Sequence, residues 1–169
     1  MNNGSELKAR YNDNNRGVYF IGTTPPKSDT PVEQVETIAQ KLLERVSDID
    51  VDGFIVYDIQ DEGSRIKAPR PFPFKSTHDP RLYASLLNNK STRPVITYKS
   101  VGKLSVEDIH QWADEAWQTY NIRDLVLVGS PSHKSEVSLS LDDAYQALQE
   151  NEHNFFTGGI TIAERHASK

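Results

Sequence analysis

Acids, bases and hydroxyls gather in this 169-residue chain at a few places, each following a short run of apolar and β-branched residues. Glu164, Arg165 and His166 stand side by side after Gly158-Gly159-Ile160-Thr161-Ile162, and together they can accept, donate and shuttle protons. The same three also make an ordinary solvated turn. Tyr57-Asp58-Ile59-Gln60-Asp61-Glu62 closes another run and opens a stretch of roughly twenty residues before Asp79, a length at which loops are often functional. Arg65, Lys67, Arg70 and Lys75 lie there with Phe72 and Phe74 between prolines. That composition suits holding a phosphate or covering a flat ring, and equally a proline-stiffened lid pinned by surface ion pairs. Thr23-Thr24-Pro25-Pro26-Lys27 offers hydroxyls on a rigid turn. Lys99, after Thr97-Tyr98, would be an electrophile or Schiff-base amine if buried and is an ordinary solvated lysine otherwise. Gly129-Ser130-Pro131-Ser132-His133 lets backbone approach a ligand closely. His78, His110, His133 and His153 have no metal-ligand spacing, and the sequence contains no P-loop, no dinucleotide fingerprint and no nucleophile elbow.

These groups need elements to position them. β-rich runs at 18–24, 53–59, 94–98, 124–129 and 156–162 alternate with helical patterns. Thr30-Pro31-Val32-Glu33 predicts a first helix with Thr30 as N-cap, Pro31 at N1 and a capping-box Glu. Its apolar stripe is Val32, Val35, Ile38, Ala39, Leu42, Leu43 and Val46. Asp79-Pro80 opens a second helix that buries Leu82, Tyr83, Leu86 and Leu87. Ser105 caps a third with the stripe Ile109, Trp112, Ala113, Ala116, Trp117 and Tyr120, and a weaker fourth lies near 141–150. The two tryptophans read as core, with cofactor stacking as the alternative. Residues 1–17 hold five Asn and no apolar period, which predicts a flexible N-terminal arm ahead of a domain over 18–169.

One helix between successive strands makes right-handed crossovers and parallel neighbours. Two architectures meet that condition. A doubly wound sheet suits five strands but needs a last helix over the fifth, and a (β/α)8 barrel of about 250 residues would be represented here by its first half plus strand five. The second reading expects a truncated chain or closure by another copy, since bare edges are rare. In both, chemistry belongs at the carboxyl ends of the strands.

Composition narrows the partners. Nineteen Lys+Arg against 24 Asp+Glu give a net charge of -5, with no basic excess for a nucleic-acid backbone. No apolar run approaches the roughly 20 residues of a membrane span, and the first residues lack a secretory pattern. With no Cys there is no disulfide scaffold and no thiolate chemistry, and a cytoplasmic location is the expectation.

Phe20-Ile21-Gly22-Thr23-Thr24-Pro25-Pro26-Lys27, Pro94-Val95-Ile96-Thr97-Tyr98, Leu125-Val126-Leu127-Val128-Gly129-Ser130-Pro131 and Gly159-Ile160-Thr161-Ile162-Ala163-Glu164-Arg165-His166 together resemble, in order and spacing, the methylenetetrahydrofolate reductase family over its first five barrel strands. The resemblance implies a (β/α)8 barrel binding FAD at its carboxyl face. It implies hydride transfer from NADH or NADPH to methylenetetrahydrofolate, in one-carbon and methionine metabolism. It further implies Thr97, Gly129, Ser130 and His166 against the flavin and Thr23 and Gln60 against the folate, with Glu164 and Asp58 as substitute catalytic acids. Several positions depart from the family, among them its fifth-strand Tyr, which falls on Ile162. Its folate-protonating acid falls on Gly22, its flavin-contacting Asp on Ser130 and its third-strand His on Val95. Glu62 is a further substitute acid. The departures lie at the mouth, so a catalytically silent barrel that binds a flavin, a folate or a partner protein is the alternative, as is an inactive truncated product.

Overall fold

In the computed structural model, residues 5–60, 72–129 and 138–161 are described. Five strands, β1 (Phe20–Thr23), β2 (Gly53–Val56), β3 (Val95–Ser100), β4 (Asp124–Val128) and β5 (Phe156–Gly158), pair in parallel in the order β1-β2-β3-β4-β5. Helices α2 (Val32–Arg45), α3 (Pro80–Ser91), α4 (Val106–Gln118) and α5 (Leu141–Glu150) fill the four crossovers, and α1 (Leu7–Tyr11) precedes β1.

Strand order decides between the two architectures. A doubly wound sheet places β1 in the interior and sends helices to both faces, whereas here β1 is an edge strand and each strand lies beside its sequence neighbours. One apolar cluster joins Val35, Tyr83, Ile109 and Ala144, one from each crossover helix, to Phe54, Val56, Leu125 and Leu127 of the sheet. All four crossovers therefore cover the same face, as in the first half of a (β/α)8 barrel with its fifth strand. The other face is concave. The ring of Tyr11 is 6.3 Å from Phe20 at the start of β1 and 6.0 Å from Phe156 at the start of β5. A flat sheet would hold those two strands about 19 Å apart, four spacings of about 4.8 Å.

Local chemistry sets the helix boundaries. Ser105 and Asp108 exchange hydrogen bonds in a capping box at α4, and Ile109, Trp112, Ala113 and Ala116 of its stripe are buried. Asp79 accepts from the Arg81 N–H, with Pro80 in the first turn of α3. Ser140 caps α5 through the Asp143 N–H. The first crossover helix departs from expectation. Its N-cap is Pro31 and Thr30 makes no side-chain cap, because the Thr30 N–H closes a turn onto the Lys27 carbonyl and its own carbonyl faces His78 Nε2 at 2.7 Å. Val32 and Ile38 of the predicted stripe stay exposed while Val35, Ala39 and Val46 are buried.

The arm also departs from expectation. From residue 5 onward it is packed against the body, with Leu7 fully buried. Arg10 and Arg16 both pair with Asp52, which accepts the Tyr19 N–H at 2.9 Å, and the Ser5 hydroxyl donates to Asp124. Composition hid this because the arm docks through a few long-range polar bonds rather than an apolar stripe. Among the described residues, no helix is long and apolar enough to cross a membrane.

Candidate functional site at the concave face

Alternation along the strands assigns each side chain to a face. Phe20, Gly22, Ile55, Ile96, Asp124, Val126, Phe156 and Gly158 share the concave side through the ladder register. Tyr57 and Tyr98, each two residues further along, continue it toward the carboxyl ends. A cavity of about 270 Å³ lies against this face, with Ile55, Ile96 and Val126 in its lining, Tyr98 and Gly159 toward the carboxyl ends, and Leu7 and Tyr11 toward the other end.

At the carboxyl end Tyr57 meets Tyr98 edge-on, with ring centroids 5.2 Å apart at 84°. Tyr57 lies across Gly22. A β-carbon on that glycine would stand 2.6 Å from the Tyr57 hydroxyl and 2.8 Å from its Cε2. On the far side, a β-carbon on Gly159 would meet nothing within 4 Å among the described residues. The Tyr145 hydroxyl accepts the Leu127 N–H at 3.1 Å and donates to the Gly158 carbonyl, so a side chain from α5 supplies the next rung between β4 and β5. Burial pushes the Tyr98 phenol above its ordinary range, with Tyr57, Tyr11 and Tyr145 adding to the effect. At the amino end, burial pushes the Asp124 carboxyl up to about 6, against the Ser5 hydrogen bond.

A second polar cluster lies on the helix side of the same strand ends. Lys99 sits 3.2 Å from Asp79 and 4.0 Å from Asp58, and 5.3 Å from the centre of the Trp112 ring. Asp79 also accepts from Trp112 Nε1 at 3.1 Å and Arg81 Nε at 2.8 Å. Burial alone would raise the Asp79 carboxyl, but Lys99 and Arg81 hold it below its ordinary range. Lys99 is thus mostly buried and doubly paired, a clamp between β3 and the start of α3. The exit of β1 is braced as well. His78 N–H donates to the Pro26 carbonyl and Ser28 N–H to the Ser76 carbonyl, both at 2.9 Å, pinning the Pro25-Pro26 turn to the segment that leads into α3.

These positions sort the predicted site residues. Thr97 pairs in register with Val56 and Leu125, so it faces the helix layer, fully buried, with no hydrogen-bond partner for its Oγ1. Thr23 pairs with Val56, also on the helix side, toward Tyr83 of α3. Neither reaches the concave face, because each is out of step by one residue with Tyr57 and Tyr98. The Asp58 carboxylate accepts the Ser100 N–H at 2.8 Å and Gln60 Nε2 at 3.0 Å, which brings those two predicted residues together in the rim. Gly129 follows β4, and among the described residues a β-carbon there would have only Leu141 near it, at 3.8 Å. Glu164, His166, Ser130 and Glu62 lie outside the described residues. Sequence reasoning passed over Tyr57 and Tyr98 as concave-face residues, although the period-two pattern that puts Val56 and Thr97 on one face puts these on the other. Among the described residues no three His, Asp or Glu side chains come together as a metal site.

An uncharacterized protein from Clostridium thermocellum that binds two copies of 5-methyl-5,6,7,8-tetrahydrofolic acid is similar in structure, with TM-score 0.71 and 30% identity over 96% of this chain. This chain spans 50% of that protein's length. CdNal from Clostridium difficile, in complex with mannosamine, aligns at 16% identity and TM-score 0.38, covering 89% of this chain and 58% of its own. N-acetylneuraminate lyase from Fusobacterium nucleatum aligns at 13% and 0.37 with the same coverages. Both likenesses are too slight to bear on fold or function. No protein-family model matches the chain, and no curated protein matches it.

Proposed function

We propose that this chain forms part of a (β/α) barrel that binds a reduced folate of the 5-methyltetrahydrofolate type at the carboxyl end of its concave face. The observation that carries the reading is the likeness to the Clostridium thermocellum folate binder over 96% of the chain. The site itself supports it. A reduced pterin is a flat ring with a polar edge, and Tyr57 and Tyr98 offer aromatic surface with hydroxyl tips, Tyr98 sharing the cavity lining with Gly159 just after β5. Titrating the protein with 5-methyltetrahydrofolate in a calorimeter tests this directly. Saturable heat with a rise in Tm is expected, and neither signal at millimolar ligand would overturn the reading.

A second, finer reading is a flavin-dependent reductase that passes hydride from NADH or NADPH through FAD to methylenetetrahydrofolate. It is favoured by the retained Pro25-Pro26 turn, braced at the β1 exit, and by open space at Gly129. Bound FAD would supply the hydride chemistry. The fit of the described residues is partial: among them only Leu141 comes near a β-carbon on Gly129, but Thr97 is buried behind the sheet. Nor is there an acid on β1, where Gly22 stands under a phenol. A visible flavin spectrum that bleaches with NADH or NADPH supports this reading, and a colourless protein that takes up no added FAD removes it while leaving folate binding intact.

A further inference from the structure

We infer that Tyr57 fills the ligand-facing place that β1 leaves empty at Gly22, and that its phenol hydroxyl hydrogen-bonds the polar edge of the bound pterin ring. This rests on the folate-binding reading above and names the residue that makes the contact.

Three observations converge on it. The ladder pairs Gly22 with Ile55, and Tyr57, two residues beyond Ile55, emerges on the same side. The three atoms nearest to a β-carbon on Gly22 all belong to Tyr57: the hydroxyl at 2.6 Å, Cε2 at 2.8 Å and Cζ at 3.0 Å. The ring is also oriented, because Tyr98 holds it edge-on at 5.2 Å. Tyr98 is thus a positioning residue for Tyr57.

The hydroxyl is chemically suited to the task. It can donate one hydrogen bond and accept others, and among the described residues it has no hydrogen-bond partner, whereas the Tyr145 hydroxyl is committed to Leu127 and Gly158. A neutral phenol replaces any β1 side chain as the polar group at this point. It binds a ring edge without the charge that a carboxylate would bring. Because Gly22 has no side chain, the Tyr57 ring can occupy that place.

The test is calorimetric titration of wild type, Tyr57→Phe, Tyr57→Ala and Tyr83→Phe with 5-methyltetrahydrofolate, each with a thermal melt. Tyr57→Phe keeps the ring and its packing on Gly22 and Tyr98, so its Tm should match wild type while affinity falls about tenfold, the loss of one neutral hydrogen bond. Tyr57→Ala should lose more, and Tyr83→Phe, altered on the helix side, should bind like wild type. Wild-type affinity in Tyr57→Phe overturns the assignment and leaves the folate reading standing. An equal loss in Tyr83→Phe overturns it too, since the effect would then be a general loss of packing. Failure of wild type to bind removes both.

Discussion

The Tyr57 ring rests on the backbone of Gly22, with its hydroxyl 2.6 Å from the place a β-carbon would take. Gly22 lies in β1 and Tyr57 just past the end of the adjacent β2, and they are complementary, one supplying the ring and the other the absence of a side chain. Gly22→Ala should therefore cost about 1–3 kcal/mol, the usual range for overpacking. In a Tyr57→Ala background the same change should cost much less, and urea unfolding of the four proteins gives the coupling. Equal costs in both backgrounds would mean that the ring does not lie there.

Gly53 makes a different demand. A β-carbon there would overlap the backbone carbonyl oxygen of Pro94, the same oxygen that accepts the Phe54 N–H at 3.1 Å. A side chain can turn away, whereas a ladder carbonyl cannot without loosening β2 from β3. Gly53→Ala should lower stability by about 3 kcal/mol or more, visible as a fall in Tm. A variant that melts like wild type would contradict the close approach.

Asp52 holds the arm. The Tyr19 N–H, Arg10 and Arg16 keep its carboxyl below the ordinary carboxylate range. Its contribution is therefore present above that range and is lost as pH falls through the lowered value. At neutral pH, Asp52→Asn should speed tryptic cleavage after Arg10 and Arg16 while leaving the body of the protein intact. Unchanged cleavage rates would show that the arm is held by its apolar contacts alone.

Asp124 has the opposite sign. With its carboxyl raised to about 6 in the folded protein, the fold binds a proton between about pH 4 and 6 that the unfolded chain releases. Stability should fall as pH rises through that window and stay lower above it. Asp124→Asn should flatten this limb and gain up to about 3 kcal/mol at pH 8, the equivalent of roughly two pKa units. Denaturant midpoints across pH 4–8 check it, and an unchanged limb would assign the dependence to another group.

Local signals made much of the fold legible. The caps at Asp79 and Ser105 act over three or four residues and announce their helices, and the run from Asp124 starts where its strand does. Features that depend on which distant residue lies opposite were hidden. Thr97 and Thr23 are hydroxyls at strand ends, and only the pairing register shows that both turn toward the helices. Lys99 reads as solvated until Asp58, Asp79 and Trp112 converge on it from two loops and a helix. Gly22 reads as a missing acid until Tyr57 is seen across it. The site was legible as a location, the carboxyl ends of parallel strands, more than as a set of side chains.

The arm has a geometric consequence. Every sheet contact joins neighbouring strands, so the sheet alone leaves the curvature of its arc loosely set. Residues 5–16 reach Asp52 before β2, Asp124 at the head of β4, and through Tyr11 both edge strands. They form a chord drawn across the arc at its amino end, and the length of that chord fixes how widely the strands splay at the other end, where Tyr57 and Tyr98 stand.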